Sequence, residues 1–261
     1  MRTFTGESYF CPNERFRTQS VIDAPSSCSG FLLSVNPPRI GSVAHCWDAN
    51  SIMIVIFGFE LTSVSDTRLT FSRDAVYTVT KSIVLGEETE NNESDFAIFE
   101  LDRPVVGYTP YTSINPSLRE GDKITLIGHP LGLPKKTDTG GLVTVVGESI
   151  IRGTCDSYAG NSGSPIFDSK GRLAGILAAG AEDFVERGEC LESNICPGGE
   201  DCAEGEFIVP ICSLLGQEPV RSLYEAQCQV KPQVASSIES SFASTLISST
   251  TLSFAFSIIM L

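Results

Sequence analysis

The sequence predicts an all-β fold from two observations. From Cys28 to about Tyr111, short apolar runs alternate with turn residues, and none of them sustains a helical period. The second half of the chain repeats this pattern. Strands at such spacing are typical of a barrel or a sandwich. The 261 residues are enough to bury a substantial core, in one or two domains.

The predicted strands follow these apolar runs in chain order. In the first half the runs are 31–33, 52–57, 69–71, 76–79, 83–85 and 96–101. In the second half they are 123–127, 141–146, 149–152, 165–167 and 172–179, with a turn at Asp168-Ser169-Lys170-Gly171 before the last. Residues before about Pro25 show no clear pattern, so we expect them to cross the outside of the fold.

One segment of the second half can present a serine hydroxyl. In Gly160-Asn161-Ser162-Gly163-Ser164-Pro165 a glycine stands on each side of Ser162, so the backbone can turn sharply there. The backbone N–H groups of Gly160 and Ser162 can then point at one spot and hold a developing oxyanion. Because such turns are common between strands, an ordinary turn explains this segment equally well on its own.

A serine nucleophile needs a base, and the chain has two histidines, His45 and His129. His45 follows a predicted strand, and its ordinary pKa suits a general base. Asp95 opens an alternating apolar run and could orient the imidazole toward Ser162, although a solvated acid at a strand entry is the alternative. His129 lies in a Gly-His-Pro turn without neighbouring acids or cysteines, so we expect it to be structural.

Three motifs in the order Ala44-His45-Cys46, Asp95-x-Ala-x-x-x-Leu and Gly-Asn-Ser162-Gly-Ser-Pro resemble the trypsin-like (chymotrypsin-fold) serine peptidases. Asparagine before the serine is similar to the glutamyl endopeptidases and the high-temperature-requirement proteases. The resemblance covers about Ser27 to Leu215. It implies two antiparallel six-stranded β-barrels, packed together with the active site in the cleft between them. It also implies a serine endopeptidase with His45, Asp95 and Ser162 as the catalytic triad.

The domain organisation follows from this resemblance. We expect an N-terminal extension over 1–26 and a peptidase domain over 27–220, with barrels at about 27–112 and 113–220. A Ser/Thr-rich tail over 221–261 ends in an apolar segment. In digestive members of the family an aspartate before the nucleophile pairs with a newly cut N-terminus. Asn161 cannot form that ion pair, so activation of that kind is not expected.

The position of Asp156 relative to Ser162 predicts the substrate specificity. Asp156 stands six residues before Ser162, the offset found in trypsins that cleave after Arg or Lys. The implied primary pocket is lined by Asp156, Ser157, Ala178, Ala179 and Gly180. A surface acid is an equally good interpretation of Asp156. Glutamyl endopeptidases bind glutamate with a histidine on the facing strand, and this strand has none, so cleavage after glutamate is not expected.

The nine cysteines fit no zinc or haem spacing and indicate an oxidising compartment, with one thiol left over. The resemblance implies the disulfides Cys28–Cys46 and Cys155–Cys202. The first seven residues lack the apolar core of a secretory signal, so we expect the true start to lie upstream; mostly reduced cysteines are the alternative. Asn92-Glu93-Ser94 is a sequon for N-glycosylation.

A formal net charge of −14 and the lack of a Lys/Arg cluster argue against nucleic acid as a partner. The expected partners are protein or peptide substrates, and no metal or cofactor is implied. Acidic residues concentrate at 87–95 and 182–206, either as solvated loops or as a preference for cationic substrates. The predicted location is extracellular or within the secretory pathway.

Small residues near Ser236 to Ser241, a Ser/Thr spacer and a short apolar terminus fit a glycolipid-anchor signal that would attach the protein to a membrane, and no charge occurs from Ser240 to Leu261. A tail-anchored helix and a disordered extension are the alternatives. A different class of function also remains open, a catalytically silent relative that serves as a binding module. Such relatives usually lack a triad residue, and none is missing here. An acyltransferase or esterase could use the same triad, although the Ser-first order of the α/β-hydrolases is not seen.

Overall fold

The computed structural model describes residues 2–3, 10–17, 19–22, 26–63, 71–86, 95–194, 205–216, 221–228 and 256–260. The predicted run 69–71 falls largely outside these ranges, as do Asn92 and Cys202. Within the described ranges the regular structure is almost entirely β-strand, as the alternating apolar runs predicted.

The strands of the first half are β1 (Arg2–Thr3), β2 (Ser20–Val21), β3 (Ser26–Ser29), β4 (Phe31–Val35), β5 (Pro38–Ser42), β6 (Ile52–Ile56), β7 (Val76–Leu85) and β8 (Ala97–Leu101). Those of the second half are β9 (Lys123–Gly128), β10 (Lys136–Val146), β11 (Ile151–Gly153), β12 (Pro165–Asp168), β13 (Leu173–Ala179), β14 (Phe184–Arg187), β15 (Cys190–Ser193) and β16 (Glu206–Pro210). The helix α1 (Arg221–Cys228) and a last strand, β17 (Phe256–Met260), follow.

Two barrels contain most of these strands, while β1 pairs with β2 and β14 pairs with β15 in separate two-stranded sheets. The second half forms a closed antiparallel barrel in the order β10-β11-β16-β13-β12-β9. The first half forms a nearly closed barrel from one sheet in the order β3-β17-β6-β7-β8-β5-β4. The all-β, two-barrel prediction is therefore confirmed, with one difference in strand count.

The difference is β17, which makes a seventh strand in the first barrel. It lies between β3 and β6 and runs parallel to both. An apolar segment can take this place because the facing edges of β3 and β6 offer unpaired backbone groups on either side. The anchor signal stays a prediction from the sequence; of the segment from Ser236 to Leu261, the structure describes Phe256–Met260 and places it in the sheet. Among the described helices, none has the length and apolar character needed to cross a membrane.

The core is continuous between the barrels because β13 is buried on both of its faces. Leu173 and Ile176 pack in the larger cluster, which holds most of the first barrel's core. Ala174 and Leu177 pack inside the second barrel, because a register shift between β12 and β13 at this point interrupts the strict alternation of the strand. Two buried layers sharing one strand hold the barrels in a fixed relation.

Three disulfides fasten the described chain. Cys28–Cys46, the pair implied by the resemblance, joins the end of β3 to the turn after β5. Cys11–Cys190 ties the N-terminal segment to β15, and Cys212–Cys228 holds α1 against the second barrel.

Cys155 does not form the disulfide with Cys202 that the resemblance implied. Cys155 is a free thiol and fully buried in the second barrel, and Cys202 lies outside the described residues. Its sulfur is so close to the Gly141 backbone that a Cβ there would come within 2.7 Å of it. Burial raises the pKa of the Cys155 thiol strongly, so it stays protonated and unreactive.

Replacing both Cys28 and Cys46 with Ala should destabilise the fold. The bridge spans a sequence separation of 18 residues, and closing a loop of this size contributes about 3 kcal/mol. Urea unfolding of the full chain should show a loss of that order relative to the parent protein. Equal unfolding midpoints for the variant and the parent would contradict this assignment.

Candidate active site

Asp95 is fully buried and holds one side of His45. Its Oδ2 lies 2.6 Å from Nδ1 of His45. Its Oδ1 accepts hydrogen bonds from the backbone N–H groups of Ala44, at 2.7 Å, and His45, at 3.2 Å. With Nδ1–H donating to the carboxylate, the other ring nitrogen, Nε2, is left as the basic atom.

The pairing of β5 with β8 produces this contact. Ser42 at the end of β5 is opposite Ala97 at the start of β8, so the residues just beyond them are brought together. The chain after β5 makes a short 3₁₀ turn, Ala44–Cys46, which turns two backbone N–H groups toward Asp95. The Cys28–Cys46 bond fastens the far end of that turn.

Ser162 lies in a tight loop immediately before β12. Gly160 and Gly163 have φ angles of +91° and +86°, which a residue with a side chain rarely adopts. The Gly163 N–H donates to the Leu177 carbonyl at 2.8 Å, and the Leu177 N–H donates to the Ser164 carbonyl at 2.9 Å. The loop is thereby fastened to β13 of its own barrel.

The same loop is also fastened to the first barrel through Ser29. The Ser29 N–H donates to the Ser162 carbonyl at 2.8 Å, and the Ser29 hydroxyl donates to the Gly160 carbonyl at 2.8 Å. A Cβ on Gly163 would lie 2.2 Å from both the Ser29 carbonyl and the Ser42 hydroxyl. Since Ser42 is three residues before His45, the serine loop lies against the strand that leads to the histidine.

The backbone N–H groups of Gly160 and Ser162 are not used as donors within the described fold. In the part of the chain that the structure describes, neither donates a hydrogen bond. The carbonyl of each residue, by contrast, is bound by Ser29. Two N–H donors in one tight loop can serve a negatively charged oxygen.

A small cavity opens beside Ser162, and four of the five predicted pocket residues line it: Ser157, Ala178, Ala179 and Gly180. Two acids that sequence reasoning missed, Asp183 and Glu206, also line it. Asp183 accepts a hydrogen bond from the Ala159 N–H at 2.7 Å, which places it beside the serine loop. No pattern near Glu206 in the sequence indicates this position, because it depends on the pairing of β16 with β13.

The structure places Asp156, the fifth predicted residue, outside this cavity. Asp156 forms a two-pronged ion pair with Arg15, at 2.5 and 2.7 Å, in a separate cavity. Cys155 is fully buried in the second barrel, whereas the neighbouring Asp156 is half-buried and its carboxylate points toward Arg15. The Asp138 carboxylate accepts from the Asp156 N–H at 2.9 Å and fixes that direction. The carboxylate of Asp156 also raises the pKa of Arg15.

His129 is buried and structural in this fold. It stacks on Phe59, and its Nδ1 lies 3.2 Å from the Leu133 carbonyl. Burial lowers the pKa of His129 to about 3, so the ring is neutral at physiological pH. It does not line the cavity beside Ser162 but lines a separate, larger one.

One cluster of described residues has metal-ligand chemistry. Ligand atoms of Cys28, His45 and Cys46 lie within 4.8 Å of one another. Both sulfurs belong to the Cys28–Cys46 disulfide, so neither is a thiolate that could bind a metal.

Comparison with known proteins shows the family to which the chain belongs. A family model described as a trypsin-like peptidase domain matches residues 28–176, a span that includes His45, Asp95 and Ser162. The chain is 26% identical over 148 residues to a glutamyl endopeptidase of Bacillus licheniformis, over 54% of this chain and 45% of that protein. These matches confirm the resemblance that the three ordered motifs predicted.

Two further matches are more distant or shorter. The chain is 30% identical over 115 residues to a probable periplasmic DegP-like serine endoprotease of Bartonella henselae, over 38% of this chain and 22% of that protein. A solved structure of a Glu endopeptidase in complex with MPD has a TM-score of 0.48 and 18% identity, over 80% of this chain and 89% of that one. The chain thus spans less than half the length of these two curated relatives.

Gly163→Ala should disrupt the site and the fold together, because the added Cβ collides with backbone and side chain of the first barrel. Gly171→Ala is the matched control, since its φ of +73° imposes the same backbone strain with nothing within 4 Å of the new Cβ. We expect Gly171→Ala to cost about 1–2 kcal/mol from strain alone, and Gly163→Ala to cost more by thermal and urea unfolding. Equal losses in the two variants would contradict the close approach at Gly163.

Proposed function

The chain belongs to the trypsin-like peptidase domain family, and we propose that it is a serine endopeptidase that hydrolyses peptide bonds through an acyl-enzyme intermediate. The observation that carries this proposal is the 2.6 Å contact between His45 and the buried Asp95, at the edge of the barrel that faces the Ser162 loop. The peptidase domain would occupy residues 27–220. Membership of the family implies protein or peptide substrates.

In this proposal the three side chains act as one unit. A serine hydroxyl is a poor nucleophile, so Nε2 of His45 takes the proton as the Ser162 oxygen attacks the substrate carbonyl. Asp95 keeps the imidazole in the required tautomer and stabilises the imidazolium that forms. The imidazolium then gives its proton to the departing amine, which leaves an ester between Ser162 and the acyl half of the substrate. A water molecule, deprotonated by His45, then attacks that ester, and the imidazolium returns the proton to the departing Ser162 oxygen.

The oxyanion of each tetrahedral intermediate would be bound by the N–H groups of Gly160 and Ser162. These N–H donors would stabilise the oxyanion because they are held in place before the reaction, so no reorganisation is needed as negative charge develops. Support comes from the Ser29 hydrogen bonds to the carbonyls of the same two residues. These bonds restrict rotation of the loop's peptide groups.

A location outside the cell is part of the proposal, supported by three disulfides among the described residues. Glycosylation at Asn92 and attachment to a membrane through the C-terminal tail remain predictions from the sequence. A catalytically silent binding module is the competing function, and it is separated from the peptidase by the reactivity of Ser162.

A fluorophosphonate probe should label the full, disulfide-intact chain at Ser162, mapped by mass spectrometry. Ser162→Ala should abolish labelling and His45→Ala should slow it severely, because the base is lost. For peptide hydrolysis we expect each variant to lose about 10⁴-fold or more in kcat. The double variant should lose little beyond that, because the residues act as a unit.

The matched control is Ser169→Ala, an exposed serine in the turn before β13, which should label and hydrolyse like the parent. Circular dichroism establishes that each variant is folded. A folded parent chain that takes up no probe would exclude the peptidase and favour the binding module. Losses that multiply in the double variant would contradict the joint action of His45 and Ser162.

A further inference from the structure

The cavity beside Ser162 contains a buried carboxylate, that of Glu206, at the start of β16. Glu206 is 5% exposed, and its Oε2 has no hydrogen-bond partner among the described residues. A Cβ on Gly180 would come within 2.1 Å of that oxygen. Glycine at this position therefore leaves the room that the carboxylate occupies, and the unpartnered oxygen lies against the strand end that lines the cavity.

The charged groups that face Glu206 make the region strongly acidic. Asp183 lines the same cavity, and both Asp183 and Asp156 act on Glu206 as negative charges. The cation of the N-terminal segment, Arg15, is engaged by Asp156 and Tyr158 in a separate cavity. Burying a carboxylate with one oxygen unpartnered is costly, and a ligand that brings a positive charge to that oxygen reduces the cost.

The shape of the cavity restricts which cation can enter. Its walls are the small residues Ala178, Ala179 and Gly180, and its volume is about 50 Å³. These walls carry no large side chain, so the narrow space between them suits an unbranched row of non-hydrogen atoms. The lysine side chain beyond Cβ has four such atoms in an unbranched row, whereas arginine has six, ending in a wide planar group.

We propose that Glu206 sets the primary specificity and that the cavity takes the lysine side chain preceding the cleaved bond, its ammonium group paired with the Glu206 carboxylate. This inference rests on the proposed peptidase function and transfers to Glu206 the role that the sequence offset suggested for Asp156. Charge-assisted hydrogen bonds of this kind are the strong ones. A site with a buried polar group also rejects a substrate that leaves the group unpaired.

The ionisation of Glu206 in the empty pocket makes the proposed specificity depend on pH. Burial raises the pKa of Glu206 to about 8, and the negative charge of Asp183 acts in the same direction. The Ala181 N–H and the Ser157 hydroxyl oppose the shift by favouring the charged form. Near neutral pH the empty pocket therefore holds a protonated acid, and binding of an ammonium group releases that proton.

The test compares peptide substrates that differ only in the residue before the cleaved bond: lysine, its neutral isostere norleucine, or arginine. We expect the parent chain to favour lysine over norleucine in kcat/KM by about 100-fold or more, and to favour lysine over arginine. Glu206→Gln, which keeps the shape but removes the charge, should abolish the preference over norleucine. Asp156→Asn is the matched control and should keep it, because Asp156 lies in the other cavity.

The pH profile is an independent measurement on the parent chain, and it needs no variant to fold. The ratio of kcat/KM for lysine over norleucine should rise as the pH increases toward about 8 and then level off, as the pocket acid ionises. Dividing the two rates cancels the titration of His45. A ratio that does not change between pH 6 and pH 9, or a lysine preference that survives in folded Glu206→Gln, would overturn the role of Glu206.

Binding to a Ser162→Ala background separates this inference from the peptidase proposal. Fluorescence anisotropy with the lysine and norleucine peptides reports on the pocket without any turnover. Tighter binding of the lysine peptide, lost on adding Glu206→Gln, supports the pocket even if the parent chain is inactive. Equal binding of the two peptides overturns the inference, while fluorophosphonate labelling of Ser162 in the parent would leave the peptidase proposal standing.

Discussion

The structure depends on one buried serine between the barrels, Ser29, whose polar groups are all used. Its N–H donates to Ser162 and its hydroxyl donates to Gly160. That hydroxyl also accepts from the His129 N–H at 2.9 Å, and its carbonyl accepts from the Ser42 hydroxyl at 2.8 Å. A fully satisfied buried network permits one arrangement of its parts. Ser29 thus fixes the serine loop of one barrel relative to the histidine strand of the other.

Residues of the site that belong to short motifs could be predicted from the sequence, because their geometry is local. The glycines on each side of Ser162 determine the local backbone conformation, and Asp95 stands at the start of an alternating apolar run. The path of a loop between motifs is not local, and the family offset failed at Asp156 for this reason. Cys155 is buried in the barrel, and Asp156 forms an ion pair with Arg15, which is 141 residues away in the sequence. No sequence pattern near Asp156 indicates this pairing.

Long-range strand pairing also explains which parts of the fold could not be predicted from the sequence. Periodicity predicted the strands of both barrels, but it contains no information on which strand pairs with which. The insertion of β17 between β3 and β6 joins residues more than 200 positions apart. Glu206 was missed in the same way, since only the pairing of β16 with β13 brings an acid from the start of one strand to the glycine at the end of another.

The buried acid beside Ser162 lowers the stability of the fold, and the sign of this effect follows from proton linkage. The pKa of Glu206 is about 8 in the folded chain, against about 4.3 for an exposed glutamate. Between these values the folded state holds a proton that the unfolded state has released, so stability falls as the pH rises through this window. A bound ammonium group removes the penalty because it stabilises the ionised carboxylate. Glu206 destabilises the protein without ligand, and a cationic ligand offsets this cost. Ligand binding therefore explains why an acid stands at this position, where packing alone would favour an apolar residue.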